Sequence, residues 1–147
     1  MLEFALVMPM VLVMILGIFE FGRAAWVYMA VNTASREAAR YGSGIGDIGD
    51  GTPQYLDCAG IRAVALQFGG PAGVEADDIT ISYDEGPGTS NLGACPLAIG
   101  ALETGDRIRV QVVGNFEVTP VFMLADLPAF SINSNVSRTI LMEIVVE

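Results

Sequence analysis

Histidine is absent from this chain, so the side chains left for chemistry are seventeen carboxylates, seven arginines and two cysteines, with no lysine. That removes the commonest general base, the Ser-His and Cys-His pairs, and the commonest zinc and haem ligand together. The carboxylates gather in three places: Asp47, Asp50 and Asp57 around a Gly-rich loop, Asp77 with Asp78, and Asp84 with Glu85. An EF-hand calcium loop needs oxygen ligands at alternate positions and a distant bidentate glutamate, a spacing that the D-x-x-D-G run from Asp47 to Gly51 lacks. Glycosidase-type carboxylate pairs need a cleft and a raised pKa, which no spacing here specifies. The loose G-x-G of Gly42 to Gly51 follows a helix instead of joining a strand to a helix, so it lacks the dinucleotide-binding context. No catalysis, cofactor or metal is expected, and the acids read as solvated surface charge.

Composition narrows the class further. The 147 residues suffice for one domain of ordinary size plus one long element. With 52% hydrophobic residues, 16% charged and a mean hydropathy of +0.53, part of the chain is expected in lipid or in protein packed around it. The net charge is −10, and the arginines are scattered at Arg23, Arg36, Arg40, Arg62, Arg107, Arg109 and Arg138. A polyanion needs clustered cations, so no nucleic-acid partner is expected.

The elements that must carry this composition begin with an apolar helix. From Phe4 to Phe19 no residue is charged, and Leu2 to Gly22 would make a helix of ~32 Å, enough to cross a ~30 Å hydrocarbon core. A cleaved secretory signal is disfavoured, because a basic n-region and an A-x-A-like site are both missing. Glu20 suits an interface, whereas Glu3 in lipid must be neutralised, hydrated or paired. Pro9 is expected to kink the helix or melt a short piece of it. Arg23 to Tyr41 contains neither Gly nor Pro, so the helix should continue to about residue 42, with Trp26 and Tyr28 suited to a membrane-interface belt. Arg23 behind the span with no cation before it runs against the positive-inside rule, and a basic leader preceding Met1 would repair that. Along the second half, Ala24, Val27, Val31, Ala34, Ala38 and Tyr41 form a stripe of mostly small side chains. It is expected to pack on the chain's own head, or in part on a neighbouring subunit.

The run LEFALVMPMVLVMILGIFEFGRAAWVYMAVNTASREAARYG, residues 2–42, resembles the N-terminal segment of TadE-like pseudopilins of the tight-adherence pilus system. That family shows a VEFALVLP-type opening, an EFGR-type tetrad and an A-x-R-E-A-A/G-R-Y close, and Glu3, Pro9, Gly17, Glu20 to Arg23 and Arg36 to Tyr41 carry the agreement. The resemblance implies a type IV pilin-like subunit held in the inner membrane, cut by a prepilin peptidase, and assembled with copies of itself, other pilins and assembly-platform proteins. It implies assembly or inter-subunit roles for Glu3, Pro9, Glu20 and Arg23. In such proteins a glutamate fifth in the mature chain is thought to meet the terminal amine of a neighbour. Glu3 stands in that context but third, so either two residues precede Met1 or the processing differs. A plain single-pass anchor with Glu3 in the head-group zone is the alternative.

The remainder reads as an α+β head over residues 43–147, behind a transmembrane or filament-core helix at 1–22 and its amphipathic continuation at 23–42. Asp57 to Phe68 has helical spacing and stops at Gly69-Gly70-Pro71, which predicts one short extra helix. Asp78 to Tyr83, Arg107 to Val112 and Phe130 to Thr139 alternate as strands, and Ile140 to Val146 adds an apolar end. Phe130, Ile132 and Val136 share one side, and Arg107 and Arg109 share a polar face. Asn135-Val136-Ser137 is formally a glycosylation sequon but reads as structural within a strand. The expected product is a three- or four-stranded antiparallel sheet laid on the Ala-rich half of the long helix. Cys58 and Cys95 in an exported head read as a disulfide worth roughly 4 kcal/mol, with two free buried thiols as the alternative.

These expectations converge on a structural subunit of an extracellular pilus or periplasmic pseudopilus. A monomeric single-pass anchored binding protein, or a minor tip or priming pseudopilin, stands as the alternative.

Overall fold

The computed structural model describes residues 2–118 and 129–142, with the side chains of Leu2, Glu3 and Ala5 outside that description. Helix α1 (Leu2–Gly42) holds its helical backbone without interruption for 41 residues. Pro9 therefore melts no piece of it, contrary to one form of the sequence expectation. A proline this near the start of the helix forfeits one backbone hydrogen bond, and the turns on either side supply the rest.

The helix has two environments. Its apolar half carries exposed Leu6, Met10, Met14, Ile18 and Phe21. Its second half turns Val27, Val31, Ala34, Ala38 and Ala39 into the core, with Ala24 and Tyr41 at the margins, so the small-residue stripe packs on the chain's own head. Two glycines set how closely the layers approach. A Cβ on Gly114 would stand 2.5 Å from Val31 Cγ2, and one on Gly42 would stand 2.5 Å from Ile108 Cδ1.

Helix α2 (Cys58–Gly69) runs back along α1, with Gly60 beside Tyr41 and Gly69 beside Ala34. Asp57 starts it as N-cap, its Oδ1 accepting from Gly60 N at 2.9 Å while its Oδ2 accepts from the Tyr41 hydroxyl at 2.8 Å. One carboxylate thus ties the end of α1 to the start of α2. That same hydrogen bond is the main cause that raises the Tyr41 pKa above its ordinary value, with burial adding to it.

The sheet has four antiparallel strands, β1 (Ile79–Asp84), β2 (Asn91–Ala94), β3 (Arg107–Phe116) and β4 (Phe130–Thr139), in the order β2-β1-β3-β4. Its inner face presents Ile79, Ile81 and Tyr83 from β1 and Ile108, Val110, Val112 and Phe116 from β3 to the two helices. The result is an α+β fold, as the sequence pattern predicts.

Two details differ from the sequence reading. The fourth strand among the described residues is Asn91–Ala94, which no alternation in the sequence marks. Ile140 follows β4 as a buried plug, its N–H donating to Asp106 O at 2.7 Å, and residues 143–147 lie outside the described residues. Strand β3 also runs four residues past Val112, because Gly114 lies under α1 instead of turning the chain.

Candidate assembly helix and its junction with the head

The candidate functional surface is the apolar half of α1, and what positions it is the junction where the helix enters the head. An apolar helix surface of this extent is unfavourable in water at ~25 cal/mol per Å², so it calls for lipid or protein around it. One helix among the described residues is long and apolar enough to span a membrane, and the apolar window within it has no buried share.

At the junction, Arg23 Nη1 bonds Glu20 Oε1 at 3.0 Å. Arg23 Nη2 donates to the carbonyl of Glu117, and its guanidinium lies 4.7 Å from the centre of the Phe116 ring. Phe116 in turn stacks at 4.9 Å on Phe130, so one arginine joins the helix to the paired ends of β3 and β4. Glu20 is largely covered, with 16% of its side chain exposed. The structure thus brings Glu20 and Arg23 together within one chain. Pro9 sits apart from them on the exposed half, and the Glu3 side chain lies outside the described residues.

Farther along, Ser35 on α1 and Ser134 on β4 are both buried, with their hydroxyls 2.7 Å apart. Ser134 also bonds Asn32 Oδ1 at 3.1 Å, and Ser35 bonds the Asn32 carbonyl at 3.1 Å. These contacts fix the helix on the sheet both along and around its axis.

The head is closed at its other edge by two clusters. Cys58 and Cys95 are joined in a disulfide with their Cα atoms 5.8 Å apart, linking the start of α2 to the chain after β2. Tyr83 is buried beside it, its hydroxyl donating to Tyr55 O at 2.5 Å and lying 3.1 Å from Cys95 Sγ. Burial pushes the Tyr83 phenol up to about 12. Asp84, opposite Arg107 in the β1–β3 register, is buried between two arginines. Its Oδ1 accepts from Arg107 Nε at 2.7 Å, and its Oδ2 lies 2.7 Å from Arg109 Nη2 as an ion pair without hydrogen-bond alignment.

Asp47 and Asp50, candidate oxygen ligands by type, accept hydrogen bonds from Gly49 N and Thr52 N within their own loop. Among the described residues no group of three or more carboxylate or cysteine side chains gathers as a metal site would require. Neither the Arg23–Phe116 contact nor the Asn32–Ser35–Ser134 network has a local signature along the chain. The alternation continuing to Phe116, and a serine at an inward strand position, are the nearest signals.

The long helix thus stands clear of a small α+β head for its first half and enters the core with its second. The family model described as TadE-like protein matches residues 1–40. That match covers α1 almost to its end and none of the head, so the helix is the TadE-like part of the chain. No curated protein and no solved structure matches the chain.

Proposed function

We propose that the chain is a structural pilin-like subunit. Its apolar half holds it in the inner membrane as a single-pass protein and then packs against copies of itself in an extracellular pilus or periplasmic pseudopilus. The observation that carries this reading is the exposed apolar surface of α1, held in line with the head by the Arg23 and Ser35 contacts. A side chain such as Met10, 77% exposed, is satisfied equally by acyl chains or by the same helix of a neighbour. Departure from the bilayer therefore requires bundling. Prepilin peptidase, other pilins and assembly-platform proteins are the partners this reading calls for, and it assigns no enzymatic activity.

Particles prepared without detergent and viewed by electron microscopy test the proposal. Rods with a regular subunit repeat support it, and dispersed monomers favour an anchored binding protein. Glu3→Ala refines the test: slowed assembly with intact membrane insertion is expected if that carboxylate pairs with a neighbour's terminal amine.

A further inference from the structure

Beyond Gly22, the aromatic side chains that stay exposed among the described residues are Trp26, Tyr28, Phe68 and Phe130. Three of these lie at one level although they come from opposite ends of the chain. Trp26 and Tyr28 stand ~4.5 Å and ~7.5 Å beyond Arg23 along the axis of α1. Phe130 reaches about that level through the sheet: it pairs with Phe116, two residues beyond the Gly114 that abuts Val27 and Val31, and the Phe116 ring lies 4.7 Å from the Arg23 guanidinium. Phe68 lies higher, near the end of α2, where an open apolar groove joins it to Trp26, Met29 and Thr33.

The level has a physical meaning. The uncharged run of α1 ends at the Glu20–Arg23 pair, and a bilayer adds roughly 5–8 Å of head-group region beyond each face of its hydrocarbon core. Trp26, Tyr28 and Phe130 fall within that slab, at 55%, 59% and 46% exposure. Trp and Tyr rings are favoured there, apolar on one side and able to bond with water or head groups on the other.

We propose that Trp26, Tyr28 and Phe130 form a collar by which the head rests on the head-group layer of a phospholipid bilayer before assembly. The collar rests on the membrane-anchor reading above and adds to it a second contact, made by the head itself. It sets the tilt of the head on the membrane, and aromatic insertion rather than net charge supplies the contact, because the chain as a whole is acidic.

The chain has one tryptophan, so its fluorescence reports the collar directly. The full chain is reconstituted in phosphatidylcholine vesicles whose lipids carry either a nitroxide on the head group or bromines near the acyl-chain ends. Flotation with the vesicles reports the anchor independently. Trp26, and separately Phe130→Trp in a Trp26→Phe background, are expected to lose emission to the head-group nitroxide and to keep it with the brominated lipid. Far-ultraviolet dichroism of the variant shows that the head is folded, and the unaltered chain provides the Trp26 reading in any case. Flotation without nitroxide quenching of either tryptophan overturns the collar and leaves the anchor standing. Emission that shifts with the protein-to-lipid ratio but ignores both quenchers assigns the patch to a second copy and likewise overturns it. Failure to float overturns anchor and collar together.

Discussion

Ser35 on the long helix and Ser134 on the last described strand meet at 2.7 Å although 99 positions separate them. Each hydroxyl has one proton to donate, and Asn32 offers both its carbonyl and its side-chain oxygen as acceptors, so three contacts share two protons. This polar bridge lies within the apolar core, beside Val112 in the β3–β4 register, where a helix with small side chains could otherwise slide or rotate.

Ser134→Ala should destabilise the head by about 1 kcal/mol, because Ser35 keeps the Asn32 carbonyl as a partner. Ser35→Ala should cost a similar amount, and the double variant less than the sum. Denaturant titration of the detergent-solubilised chain measures this, and strict additivity would contradict a coupled pair.

Asp84 holds Arg107 and Arg109 on the outer face of β1 and β3. Asp84→Asn should cost about 3 kcal/mol, since it leaves two neighbouring cations facing a neutral group. Arg109→Ala should cost under about 1 kcal/mol, because that side chain is 37% exposed and solvent screens it. Equal losses in the same titration would show that the cluster is held by something other than the carboxylate.

Cys58→Ser opens a loop of sequence separation 37, for which the chain-entropy account gives a loss of about 4 kcal/mol. The melting temperature should drop under oxidising conditions and match that of the reduced unaltered chain. A drop of the same size in both conditions would rule out a bridge in the native protein.

Tyr83 sets an alkaline limit. Its phenol is pushed up to about 12 in the folded chain by burial, whereas the unfolded chain ionises near 10, so the unfolded state sheds protons first as pH rises. Stability is therefore full below about pH 10 and lost progressively from there to about 12, and Tyr41, also raised, acts in the same sense. Tyr83→Phe should be less stable at neutral pH, having lost the bond to Tyr55 O, yet should show a shallower alkaline decline. An unchanged decline would exclude this phenol as its source.

Much of the fold was legible because its signals are local. The stripe Val27, Val31, Ala34, Ala38 repeats at helical spacing, and Asp57 and Gly70 bracket α2 as its two caps. Strand β2 was not legible: Asn91-Leu92-Gly93-Ala94 shows no alternation, and its place as an edge strand comes from pairing with β1. The alternation read over Arg107 to Val112 stops short of Gly114, which in three dimensions is the gap that admits Val31. The Arg107–Asp84–Arg109 cluster is visible only in halves, as two arginines on one strand face and an acid just past the end of another strand, because the register that joins them is a tertiary fact. Glu20 and Arg23 read as a motif along α1, whereas the pairing of Arg23 with Phe116 depends on where β3 ends.

If the apolar half of α1 exchanges lipid for copies of itself, thiols placed on it and on the head must differ in accessibility once the chains assemble. Met10→Cys probes the helix and Ile99→Cys probes the head, both at positions 77% exposed in the single chain. In detergent Ile99→Cys should react freely with a small alkylating reagent, while Met10→Cys, covered by the micelle, should form no disulfide-linked dimer on oxidation. In detergent-free particles Met10→Cys should become protected and form disulfide-linked dimers on oxidation, while Ile99→Cys remains reactive. Equal reactivity of the two positions in a detergent-free, monomeric chain would contradict the account.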